Sequence, residues 1–205
     1  MIKKFEGCKT KAYQDSVGVW TIGYGTTNAD KDLTGLTVKA GVTITKAQAL
    51  EFLEKTIPKK YLPRVLKYDD KYHFNQNQLD ALVSFAYNIG SIDGLTAKGT
   101  RSIKEIKAKI PAYCNADGVK LTGLVRRRKA EQKLFAKKLY RKIKREKGGT
   151  IREEASKTSN KVATIKSGKK VRVLREKKGS DGKMWLKVKK GNYKGWMKKA
   201  VTKAC

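Results

Sequence analysis

Apolar residues recur first at helical spacing and later at every second position, and the period changes at Gly148-Gly149. Before that point the pattern predicts a short helix over Ile2 to Thr10 and a β-rich stretch from Ala12 to Gly25. Within the stretch, Val17, Val19 and Thr21 alternate with Gly18, Trp20 and Ile22, which predicts a strand pair around a glycine-marked turn. Four helices follow. Thr45 with Gln48 forms a capping box ahead of Leu50, Leu53 and Ile57, and Pro58 is expected to stop that helix. Asn75 with Gln78 opens the second, which carries Leu79, Leu82, Val83, Ala86 and Ile89 and should end on Gly90. Ser102 with Glu105 opens the third, with Ile103, Ile106 and Ile110 inward before Pro111. The fourth is an amphipathic helix over Leu124 to Arg145, with Leu124, Leu134, Phe135, Leu139 and Ile143 inward beneath a dense Lys/Arg face.

From Thr150 onward the period is two. Val162 to Ile165, Val171 to Leu174, Met184 to Val188 and Tyr193 to Met197 read as short strands. They are separated by the turn formers Ser167-Gly168, Gly179-Ser180-Asp181-Gly182 and Gly191-Asn192. The expected organisation is an α+β domain over residues 1–147, with a small β lobe and a helical lobe, followed by a small all-β barrel over residues 148–205.

Composition narrows the function classes. Apolar residues make up 39% of the chain, enough for a packed core and too many for a disordered segment. No apolar run approaches the ~20 residues of a membrane span, and no apolar stretch follows Lys3 and Lys4 as a secretory signal requires. Cys8, Cys114 and Cys205 are far apart, no C-x-x-C pair occurs, and His73 is the only histidine, so neither a metal nor a cofactor is expected. Cys8 and Cys114 read as small buried thiols, Cys205 as a terminal free thiol, and His73 as a surface residue beside a helix. The net charge of +31 is distributed unevenly: residues 1–100 carry +4 and residues 101–205 carry +27. Such a field recruits a polyanion, and nucleic acid, an anionic membrane and an anionic cell wall all qualify.

The candidate chemistry lies near the start. Glu6 falls on the opening helix, Asp15 follows after eight intervening residues, and Thr21 after five more. Glycosidic cleavage needs one carboxyl protonated to donate to the leaving oxygen and a second, ionised, to activate water or stabilise cationic sugar character. A helix facing a hairpin can hold two such groups at different burial and hence different pKa values. A threonine hydroxyl nearby can hydrogen-bond the water. Spacing alone does not single this pair out, because surface Glu and Asp pairs are common.

The residues around it do. Glu6-Gly7, Ala12-Tyr13-Gln14-Asp15 and Gly18-Val19-Trp20-Thr21-Ile22-Gly23-Tyr24-Gly25 closely resemble the phage lysozyme (endolysin) family of glycoside hydrolases, whose signature is Glu, eight residues, Asp, five residues, Thr. The run from Asn75 to Gly90 and the run Gly123-Leu124-Val125-Arg126-Arg127-Arg128 with Glu131 agree, so the resemblance covers roughly residues 2–140. It implies a lysozyme-like α+β fold with Glu6 as general acid, Asp15 positioning water and Thr21 as its partner, and inversion at the anomeric carbon. It also implies that one arginine of Arg126–Arg128 reaches Glu6 and favours its ionised form until substrate buries it; the same run also fits a solvated helix face. Family members often carry a histidine where this chain has Thr26. The opening helix has almost no N-terminal extension, so its stability must come from packing.

Ile151-Arg152, Lys166 to Leu174, Trp185 to Val188 and Lys194 to Met197 resemble a bacterial SH3-like barrel of the kind attached to wall hydrolases. Trp185, Tyr193 and Trp196 are either groove aromatics or core. The expected partners are therefore bacterial peptidoglycan and anionic wall polymers, with no specific nucleic acid, for a monomer held in the host bacterial cytoplasm until released to the wall. Two other readings rest on charge alone: a nucleic-acid-binding protein, and membrane disruption by the basic helix at 124–145. Neither explains Glu6, Asp15 and Thr21.

Overall fold

All three capping signals form. In a computed structural model that describes residues 1–116 and 118–205, Thr45 and Ser102 make reciprocal capping boxes with Gln48 and Glu105. Asn75 and Gln78 likewise exchange backbone-to-side-chain bonds of 3.0 and 3.2 Å. Each satisfies amide donors that a helix start leaves without partners. The chain runs α1 (Ile2–Glu6), β1 (Lys9–Gln14), β2 (Trp20–Gly23), β3 (Thr26–Thr27), α2 (Lys31–Thr34), α3 (Lys46–Thr56), α4 (Leu62–Leu66), α5 (Asp69–Tyr72) and α6 (Gln76–Ile89). It continues through α7 (Asp93–Thr96), α8 (Ile103–Lys109), β4 (Asn115–Ala116), β5 (Val119–Lys120) and α9 (Thr122–Ala136). The remainder is β6 (Leu139–Ile143), β7 (Gly149–Arg152), β8 (Lys161–Ile165), β9 (Lys170–Lys178), β10 (Met184–Lys190), β11 (Tyr193–Lys198) and β12 (Thr202–Ala204). Two compact units result: Met1–Asp70 with Ala81–Gln132, and Lys71–Asp80 with Lys133–Cys205.

In the first unit, β1, β2 and β3 form an antiparallel sheet whose core is Ile22, Val38, Ile44, Ala49 and Phe52. Gly23 brings β2 onto α3: its φ is +66° and a Cβ there would stand 3.1 Å from that of Ala49. Phe85 of α6, fully buried, meets Tyr113 edge-on with ring centroids 4.9 Å apart. No helix of the described residues is long and apolar enough to cross a membrane.

The second unit contains an all-β half-barrel sheet, ordered β12-β6-β9-β10-β11-β7-β8. Ile143, Val171, Val173, Leu186, Val188 and Met197 supply its core. Trp185 and Trp196 are 1% and 3% exposed and pack with Ala155, which places both in core, whereas Tyr193 is half exposed. Asp181 pins the turn before β10. Its carboxylate accepts from Trp185 Nε1 at 3.0 Å, the Lys183 amide at 3.1 Å and Lys198 Nζ at 2.6 Å. The Lys198 ammonium, first, and then the indole hold this carboxyl well below the usual carboxylate range. A depressed folded value means stability present above the ordinary Asp value near ~3.9 and lost as pH falls through the folded one. Asp181→Asn is therefore expected to lower the melting temperature of the barrel at pH 7 and to weaken its acid sensitivity below about pH 4. Tryptophan fluorescence melts at pH 7 and pH 3 check this; an unchanged pH dependence in the variant would refute it.

Several expectations need correction. The opening helix stops at Glu6, because Gly7 at φ +68° turns the chain, and Lys9 and Thr10 are already strand. Pro58 does not end the helical path: Ile57–Tyr61 forms a wider turn closed by the Leu62 amide on the Ile57 carbonyl, and α4 follows directly. That wider turn accommodates Pro58, which has no amide hydrogen to donate. The long helix over 124–145 is two elements, since α9 ends at Ala136 and Leu139–Ile143 pairs with β9 and β12. Strand β6 thus precedes the expected boundary at Gly148. Cys8 is only partly buried, while Cys114 is buried and Cys205 exposed, all three as thiols. His73 is exposed, as the sequence predicts, at φ +50°.

Candidate active site

Glu6 is the last residue of α1, and the turn at Gly7 leaves its side chain about a quarter exposed, 24%, at the edge of a hollow of about 740 Å³. Lys4, Phe5, Asn88, Leu124 and Arg127 line the same hollow. Of the three consecutive arginines, Arg127 reaches Glu6, donating from Nη1 to Oε1 at 2.5 Å. Glu6 Oε2 has no protein partner among the described residues.

Arg127 is 3% exposed and every edge of its fork is used. Beyond Glu6, Nε donates to Glu131 Oε1 at 3.1 Å and Nη2 to the Ser84 carbonyl at 3.0 Å. One side chain in the middle of α9 therefore ties α1 to α6 through a planar, fixed-geometry donor. Glu131, fully buried, also accepts from Ser84 Oγ at 2.7 Å. Burial raises its pKa against the lowering effects of Arg128, Ser84 and Arg127. Arg128 Nη1 stands 3.0 Å from Glu131 Oε2 without hydrogen-bond alignment, so the contact is an ion pair and both atoms remain without a directed bond among the described residues. Arg128 instead donates from Nη2 to Asn88 Oδ1 at 2.5 Å and lies over the Phe85 ring at 4.6 Å. The inward face of α9 is thus ionic, where the sequence also allowed a solvated basic face.

Asp15 sits where β1 turns toward β2. Its Oδ1 accepts from the Val17 and Val19 amides at 3.0 and 2.9 Å, so the carboxylate caps its own hairpin and its orientation is fixed. Oδ2 has no protein partner among the described residues. Thr21, 5% exposed on β2, donates its hydroxyl to the Val19 carbonyl at 3.0 Å, which leaves the oxygen free to accept. Asp15 and Thr21 do not line the hollow beside Glu6. Tyr13 lies on β1, two residues before Asp15. It pairs across the strands with Thr21, and its phenol is pushed up by burial first, then by the charges of Asp15 and of Glu6.

Sequence reading gave no role to Tyr13, Ser84 or the tyrosines near the β lobe. Tyr87 of α6 donates to the Tyr24 carbonyl at 2.8 Å and packs on Tyr61 with centroids 4.6 Å apart. Burial, then the Tyr61 phenol and the Glu6 charge, raise its pKa. Ser84 and Tyr87 lie at helical spacing in the Asn75–Gly90 run, yet nothing in that spacing distinguishes a tyrosine that anchors a β-lobe carbonyl from ordinary core.

Residues 3–131, which span every group described above, match the profile of the phage lysozyme family. The chain belongs to the phage lysozyme family. Residues 147–203 match the bacterial SH3 domain profile, in agreement with the β-sheet unit. The endolysin of Lactococcus phage c2 is 43% identical over 139 residues, which are 67% of this chain and 57% of that protein. The chain thus spans little more than half the length of that relative. An endolysin of Acyrthosiphon pisum secondary endosymbiont phage 1 is 32% identical over 148 residues, covering 66% of this chain and 92% of that protein. Among solved structures, the muramidase domain of SpmX from Asticaccaulis excentricus superposes with a TM-score of 0.55 at 29% identity, over 66% of this chain and 92% of that domain. The phage lysozyme region is therefore α+β, with Glu6 on its first helix and Asp15 and Thr21 on its first hairpin.

Proposed function

We propose that this phage lysozyme is an endolysin that hydrolyses bacterial peptidoglycan at the β-1,4 bond between N-acetylmuramic acid and N-acetylglucosamine, causing lysis of the host cell. The observation that carries the reading is the anchored state of Glu6: Arg127 holds Oε1, and Oε2 is left for a proton and a glycosidic oxygen. Glu6 donates that proton as the bond from the anomeric carbon to the leaving oxygen breaks. A water attacks the same carbon from the opposite face and loses its proton to Asp15 Oδ2, the oxygen that the hairpin amides do not occupy. Because Thr21 gives its own proton to the Val19 carbonyl, its oxygen accepts one water hydrogen while Asp15 accepts the other. The water lone pair then faces the sugar. The SH3 region tethers the enzyme to the wall and raises its local concentration, a role supported by the +15 charge of residues 147–203.

A single displacement of this kind inverts configuration. Proton NMR of a chitin- or wall-derived oligosaccharide in the first minutes of digestion should show the new reducing end as the α anomer. Asp15→Asn should slow its appearance by about 100-fold or more. A β anomer as first product would mean a covalent sugar intermediate and would overturn the role given to Asp15.

A further inference from the structure

The outward face of the barrel sheet carries a lattice of cations, and its row from Tyr140 to Lys194 holds no ion-paired acid among the described residues. Val171, Val173 and Val188 point into the core, so Arg172, Lys187 and Lys189, alternating with them, lie on the opposite face. Strand register sets these residues directly across from one another: Tyr140 faces Arg172, Arg172 faces Lys189, and Lys189 faces Lys194. Lys142 likewise faces Lys170, and Arg175 faces Lys187. Like charges directly opposite destabilise a sheet, yet among the described residues the barrel's ion pairs, Lys198–Asp181 and Lys199–Glu176, take in none of Arg172, Lys187, Lys189 and Lys194; Lys198 shares their face but stands at its Trp185 end. Arg175, Lys177 and Lys187 crowd the Trp196 ring at 5.0, 4.6 and 5.6 Å. Burial first, and then repulsion from Arg175, Lys194 and Lys177, lowers the Lys187 pKa. A hollow of about 480 Å³ opens on this face, lined by Lys138, Tyr140, Lys170, Arg172, Lys189 and Lys190.

We propose that this face binds a linear phosphodiester polymer of the bacterial wall, one phosphate seated in the hollow and its neighbours tracking the row Arg172, Lys189 and Lys194. Adjacent strands lie about 4.8 Å apart, so the row presents closely spaced charges that a thin, flexible polyanion can follow. Arg172 supplies the planar fork that suits phosphate oxygens. Duplex nucleic acid fits less well, because reading it requires a helix or ribbon that enters a groove, and this face is the flat side of a sheet. The inference rests on the wall-hydrolase reading and adds to it the ligand and the surface that takes it.

The test uses the full chain and the variant Arg172→Gln/Lys189→Gln/Lys194→Gln, whose outward positions leave the core intact. Sedimentation with purified Gram-positive sacculi, before and after phosphodiester polymers are stripped by cold hydrofluoric acid, separates polymer from peptidoglycan binding. Titration with purified poly(glycerol phosphate) gives affinity. The wild type should bind intact sacculi at least tenfold more tightly than stripped ones, and the variant should lose that difference while melting at or above the wild-type temperature. The salt dependence of polymer binding should flatten by about 0.7 in log–log slope per phosphate contact removed. Equal wild-type binding to intact and stripped walls, full retention of polymer binding by the variant, or tighter binding to a DNA oligonucleotide of matched charge would each overturn the inference. Release of reducing sugar from stripped walls reports the hydrolase reading separately, so either can fail alone.

Discussion

Glu6→Gln is expected to lower the rate of wall lysis by at least about 100-fold, and up to about 10⁴-fold, while the protein stays folded. The substitution removes the proton and little else. Glutamine keeps a carbonyl oxygen where Glu6 Oε1 accepts from Arg127, so the tie between α1 and α9 survives as a neutral hydrogen bond. The charge-based alternatives, membrane disruption by basic surface or nucleic-acid binding, predict no loss, since the net charge becomes more positive by one. Turbidity of a Gram-positive wall suspension, read beside a melting curve, makes the comparison. Lysis at the wild-type rate by the folded variant would refute general-acid catalysis from this position.

The second large effect falls on stability. Arg127→Leu leaves Glu131 fully buried with Ser84 and a misaligned Arg128, strips the Ser84 carbonyl of a donor, and releases Glu6. Breaking a buried ion pair by removing one partner costs about 3–5 kcal/mol, which corresponds to a fall in melting temperature of roughly 10 °C or more for a domain of this size. The adjacent Arg126 is exposed and should tolerate Leu within about 0.5 kcal/mol. Arg127→Lys should fall between the two, because an ammonium keeps the charge but cannot reach Glu6, Glu131 and Ser84 at once. Circular dichroism melts of the three variants decide the matter; equal melting temperatures for Arg126→Leu and Arg127→Leu would show that the buried network contributes nothing.

Much of the fold was legible because local signals and burial agree. The boxes at Thr45, Asn75 and Ser102 set helix starts, and the glycine-rich turns of the C-terminal region separate strands that form at the expected places. The failure at Leu124 to Arg145 has a definite cause. Leu139 and Ile143 are four residues apart, a spacing that places two side chains on one face of a helix and equally on one face of a strand. No proline or glycine marks the break at Lys137-Lys138, and the pairing of β6 with β9 and β12, distant in sequence, decides it. Strand β12 was missed for the same reason.

At the candidate site, the motif singled out Glu6, Asp15 and Thr21 and implied an arginine of Arg126–Arg128 at Glu6, whereas the identity of that arginine as Arg127 and its burial beside Glu131 were not legible. Hydrophobic patterning assigns Arg127, Arg128 and Glu131 to water, and only the packed structure shows them compensating one another inside. Tyr13 was visible as a strand residue, but its pairing across from Thr21 and the effect of the Glu6 charge on its phenol depend on the fold.

The most direct measurement is the mass spectrum of products released from purified sacculi, reduced with borohydride after digestion by the wild type and by Glu6→Gln. The wild type should yield disaccharide peptides ending in N-acetylmuramitol, and the variant almost none. Products ending in N-acetylglucosaminitol, or peptides with new amino termini beside intact glycan strands, would contradict the account.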